Sequence, residues 1–99
     1  MIKDFDLLQR ANNDYTTIDL EHAEEPETIL NISRTMELLD TGEIVSKVEG
    51  GKWASDNLEE TELINKALTY YHQGLKLKKE ETIEFINKYL TIIKTTISA

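Results

Sequence analysis

Ninety-nine residues suffice for one domain with one core and leave no room for a second domain with its own cleft. With no cysteine there is neither a disulfide framework nor a thiolate zinc site. The balance of 19 acidic against 11 basic residues, net −8, argues against a nucleic-acid partner, whose phosphates need a positive face. The opening MIKDFDLLQR has no apolar run behind its lysine, and no segment approaches the roughly 20 apolar residues that span a bilayer, so a cytoplasmic protein with no membrane role is expected.

One proline and four glycines leave little loop-forming material, and apolar residues recur at three- and four-residue spacing, so the chain reads as helix after helix. From Asp4 to about Ala23, Phe5, Leu8, Ala11, Tyr15 and Ile18 form the first stripe, and the weak helix formers Asn12, Asn13, Thr16 and Thr17 predict a break near Asn13. Glu21, Glu24, Glu25 and Glu27 then crowd seven positions, and this acidity reads either as a solvated surface or as a field that attracts cations. Pro26 suits the first turn of a second helix, Ile29, Ile32, Met36 and Leu39 make its stripe, and Gly42 ends it as a left-handed cap. Ser46-Lys47-Val48-Glu49 reads as a capping box that starts a short third helix.

Asn57 to Glu60 is a turn, and Leu63, Ile64, Ala67, Leu68 and Tyr71 define a fourth helix closed by Gly74. A basic connector, Lys76 to Lys79, leads to the last helix. There Ile83, Ile86, Leu90, Ile93 and Ile97, widened by Phe85, Tyr89 and Ile92, promise the largest burial. The expected fold is all-α, an antiparallel bundle of about four longer helices with one short helix at a corner.

Catalytic constellations are sparse. His22 and His72 are far apart and neither sits in a metal-ligand spacing, no Gly-rich loop follows a strand, and nothing marks a nucleophile elbow. Neither a catalytic residue nor a metal site is assigned. Two features still ask for a reason. Gly50-Gly51 inside a helix costs about 1 kcal/mol per residue relative to alanine, which close approach of another backbone or of a ligand would justify. Lys47 occupies the first turn of a helix, where the dipole disfavours a cation, so it is either a solvated lysine or one that shares an anion with the helix N-terminus. Trp53 is either core or a platform against a neighbouring domain.

The run Ile29-Leu30-Asn31-Ile32-Ser33-Arg34, followed by Thr41-Gly42-Glu43-Ile44-Val45-Ser46-Lys47 and by Gly50-Gly51-Lys52-Trp53-Ala54, resembles the C-terminal helical domain of the aminoglycoside adenylyltransferases that act on streptomycin and spectinomycin. The resemblance implies an antibiotic-resistance transferase that uses ATP and magnesium. Its N-terminal nucleotidyltransferase domain carries a Gly-Ser and paired aspartates, and its helical domain closes the cleft over drug and nucleotide. No Gly-Ser-(x)-Asp-x-Asp run occurs here, so the catalytic domain is expected to be missing and the chain to be inactive in isolation, with no cofactor of its own. By the same resemblance Lys47 is the nucleotide-binding lysine, and Glu24 and Glu27 stand where a polar or acidic residue touches the aminoglycoside. Streptomycin-accepting members carry a tryptophan and an aspartate where Tyr15 and Leu20 stand, which opens the drug specificity to spectinomycin or another substrate.

The competing expectation is a stand-alone helical interaction module that buries its apolar face in a homodimer. A helical RNase is disfavoured, since Arg34 has no histidine four to six residues on.

Overall fold

Among the described residues five helices build the domain: α1 (Phe5–Thr16), α2 (Pro26–Thr41), α3 (Lys47–Asn57), α4 (Thr61–Gln73) and α5 (Lys79–Ser98), with one 3-10 turn at Leu20–His22. The structure, a computed structural model, describes residues 5–16, 18 and 20–98, the side chains of residues 5, 7, 8, 14–16 and 20 excepted. No strand occurs among the described residues, and none of their helices is long and apolar enough to cross a membrane. The all-α bundle expected from the spacing is what forms.

Local chemistry sets most boundaries. Pro26 opens α2, where its missing N–H is no loss, and Gly42, at φ 80°, closes it by donating its N–H to the Leu38 carbonyl at 2.9 Å. Gly74, at φ 70°, closes α4 in the same left-handed way. Ser46 caps α3, its hydroxyl oxygen accepting the Glu49 N–H at 3.1 Å. The first helix departs from expectation: α1 runs through Asn13 unbroken and stops at Thr16, and a 3-10 turn takes up the chain before α2. Ala11 is fully buried, whereas the Phe5, Leu8 and Tyr15 side chains lie outside those described.

The largest burial falls on α2 and not on α5. Helix α2 touches all four other helices. Ile29, Leu30 and Ile32 are completely buried, and Leu38 and Leu39 nearly so. Each such side chain contributes about 1.5–3 kcal/mol of hydrophobic stabilisation. A helix surrounded on every side can also bury hydroxyls, provided they bond within it: Ser33 Oγ donates to the Ile29 carbonyl at 2.8 Å and Thr35 Oγ1 to the Asn31 carbonyl at 2.9 Å. Helix α5 buries Phe85, Ile86, Tyr89 and Ile93 but turns the other side to solvent, leaving Ile92 36% exposed.

Helix α3 is eleven residues long, more than a corner, and the two glycines fix where it lies. A Cβ on Gly50 would sit 2.5 Å from Arg34 Cβ and 2.6 Å from its Cα, so α3 rides directly on the α2 backbone. On Gly51 a Cβ would meet the Leu30 and Leu68 methyls, each at 2.7 Å. The glycines are therefore explained by close approach of a helix. Helices α4 and α5 meet instead through long side chains. Lys66 pairs with Glu81 at 3.0 Å, and Lys88 bridges Glu59 and Glu60 at 3.3 and 3.2 Å.

Candidate functional site at the α2 and α3 junction

The N-terminal turns of α2 and α3 meet at one place. Glu27 belongs to the first turn of α2, where the helix dipole favours a carboxylate, and Lys47 is the first residue of α3, where it disfavours a cation. The two side chains join across the helices, Lys47 Nζ to Glu27 Oε2, at 3.1 Å. Glu27 is thus the anion that makes the lysine tolerable at a positive helix end. Lys47 is 29% and Glu27 54% exposed in their side chains, so both remain open to an ionic ligand.

The loop before α2 is tied down by its backbone. The His22 carbonyl accepts the Glu25 N–H at 3.0 Å and the Thr28 hydroxyl at 2.9 Å. Glu24 accepts the Leu77 N–H on its carbonyl at 2.7 Å, and Glu25 pairs with Lys76 at 3.3 Å. The basic connector between α4 and α5 is thereby stitched to the acidic entrance of α2. Of the three residues expected to bind ligands, the structure brings Glu27 and Lys47 into contact. Glu24 is half-buried and fixed through its main chain.

Sequence reasoning missed the polar line that continues along α2 from Glu27. Asn31 Oδ1, Arg34 Nε and Glu37 Oε1 are each buried without a hydrogen-bond partner. They lie one helical turn apart on one side of α2. Gly50 rests against Arg34, so the first turn of α3 covers part of this side. The signal was present as polar residues at 27, 31, 34 and 37, interleaved with the apolar 29, 32, 36 and 39. It is unreadable without knowing what packs on that side. Burial, reinforced by the Glu43 and Glu49 carboxylates, raises the Glu37 carboxyl above its ordinary value of 4.5.

This set of groups can bind ions, but it includes no nucleophile held by a base. No group of three or more His, Asp or Glu among the described residues is placed to hold a metal ion. Trp53 is half-buried, packed on the core beside Met36, Leu39 and Ile92 along a shallow groove.

Residues 4–95 match the family model described as aminoglycoside adenylyltransferase, C-terminal domain. The chain belongs to this family. No curated protein and no solved structure matches it. Membership in a family defined as the C-terminal domain of a larger enzyme implies an N-terminal partner domain. In this adenylyltransferase domain the stretches that carry the resemblance are those that build the junction: Ile29 to Arg34 form the polar-edged centre of α2, and Thr41 to Ala54 form the Gly42 cap, the Ser46 cap and the glycine contact with Arg34.

Proposed function

We propose that the chain is the substrate- and nucleotide-contacting domain of an aminoglycoside O-adenylyltransferase that confers antibiotic resistance, and that it is inactive by itself. The observation that carries this reading is the Lys47–Glu27 pair at 3.1 Å, which joins a cation suited to nucleotide phosphate and a carboxylate suited to a drug ammonium at one helix junction. Arg34, with a buried Nε lacking an acceptor, adds a second donor for phosphate on the same side of α2. Glu24 completes the acidic entrance through which a polycationic drug is drawn.

ATP would meet this domain through Lys47 and Arg34. The magnesium that neutralises developing phosphate charge belongs with the N-terminal nucleotidyltransferase domain, the implied partner. This domain then orients the two substrates and excludes water from the closed cleft.

Calorimetry of the purified chain with spectinomycin tests the reading. Binding should be weak and should weaken further with salt, because exposed carboxylates are screened over about 8 Å at physiological ionic strength. Glu24→Gln and Glu27→Gln should each lower affinity, and unchanged affinity in both removes them from the site. Incubation with ATP, magnesium and spectinomycin should give no adenylylated drug above a no-protein control, and product above that control overturns the inactivity.

A further inference from the structure

The far end of α2 carries a second concentration of charge that the adenylyltransferase reading leaves unused. Glu37 lies ten residues beyond Glu27, about 15 Å along the helix at 1.5 Å per residue, whereas Glu49, in the first turn of α3, is two residues from Lys47. The residue is 8% exposed, and its Oε1 is buried with no donor. Local donors are spent elsewhere: the Thr41 hydroxyl donates to the Glu37 carbonyl at 2.9 Å, and the Glu43 N–H donates to Thr41 Oγ1 at 3.2 Å. Arg34, one turn back, donates nothing to Oε1.

The surroundings add more negative charge. The last turn of α2 contains Asp40 and no basic residue and sits at the negative end of the helix dipole, and Glu43 follows in the loop. Glu49, in the first turn of α3, and Glu43, in the loop, both act on the Glu37 carboxyl and favour its neutral form. A buried carboxylate without a partner is costly, and a cation seated against it would remove that cost. The carboxylates are too dispersed for a metal ion, since no described group of three can hold one. A cation whose charges are spread over several ångströms suits them better.

We propose that the junction of the α2 C-terminal half, the 42–46 loop and the α3 first turn binds a small organic polyamine, with Glu37 as its buried acceptor and Glu43 and Glu49 as flanking carboxylates. Spermidine, as probe, is titrated into the ¹⁵N-labelled chain at constant ionic strength, with magnesium chloride in a parallel series. Saturable shifts are expected at the amides of Glu37, Glu43 and Glu49. Glu37→Gln, its fold verified by an otherwise unchanged amide spectrum, should weaken binding about tenfold, the scale of one lost charge-assisted contact. Glu62→Gln in α4 should leave the titration unchanged, as should Glu24→Gln and Glu27→Gln, which report on the drug entrance. A response that is linear, that magnesium reproduces equally, or that survives Glu37→Gln overturns the proposal. Loss of the response in Glu24→Gln or Glu27→Gln also overturns it, by merging this site with the entrance.

Discussion

Two pairs of helices handle polar groups in opposite ways. Where α4 faces α5 the charges are matched: Lys66 with Glu81, Lys88 with Glu59 and Glu60, and the Tyr89 hydroxyl donating to Glu60 Oε1 at 2.7 Å. Where α3 lies on α2 the backbones nearly touch at Gly50. Arg34 has a buried Nε without a partner there, Asn31 and Glu37 have buried oxygens without partners one turn to either side on α2, and the Lys47–Glu27 pair joins the two helices at the rim. A matched network holds two helices together and asks nothing of a ligand. An unmatched one keeps binding capacity at a cost in stability, which is how recognition sites are commonly set apart from scaffolding.

Substitutions can break this comparison at either end. The largest effect is expected for Gly50→Ala, because the new Cβ meets Arg34 backbone atoms that cannot turn away. Overpacking of that kind should cost about 3 kcal/mol, outweighing the gain of about 1 kcal/mol in helix propensity. Gly51→Ala meets the Leu30 and Leu68 methyls instead, which can shift, so urea unfolding should show a smaller loss of about 1 kcal/mol. Equal losses would mean that α3 does not ride on the α2 backbone.

Tyr89→Phe comes next, since it removes a hydroxyl bonded to Glu60 at the start of α4, and should cost about 1 kcal/mol. Burial, helped by the bond to Glu60, pushes the Tyr89 phenol up to about 12. Its folded-state value therefore exceeds the ordinary 10.0, so the protein should lose stability as pH rises from about 10 through 12, and the phenylalanine variant should lose less over that window. Thermal melts across that range, with absorbance titration of the tyrosines, check both statements.

Ser46→Ala deletes the α3 cap and should cost about 1 kcal/mol in thermal unfolding. The smallest stability change is expected for Glu27→Gln: the pair with Lys47 is solvent-facing, so chemical denaturation should register no more than about 0.5 kcal/mol. A large stability loss there would make the Glu27–Lys47 pair scaffolding, like the α4–α5 network, and would weaken its assignment to a binding site.

Much of the domain was written locally. The Gly42 and Gly74 ends, the Pro26 start and the Ser46 cap depend on backbone geometry and on groups within four residues, so residue type and spacing alone determined them. The apolar stripes determined an all-α fold for the same reason, because a helix presents every third or fourth residue to one side whatever packs on it. Which helix would be central was not legible: α5 has the longer stripe, but α2 is the one enclosed, and enclosure depends on how all five helices arrange themselves. The site divides in the same way. Lys47 and Glu27 stood out individually, by position at a helix start and by resemblance to the family. Their contact spans 20 residues, and the buried atoms of Asn31, Arg34 and Glu37 become significant only once the neighbouring helices settle onto α2. Pairing and burial are relations between elements distant in sequence, set by close packing through Gly50 and Gly51, and they were decided only when the tertiary structure formed.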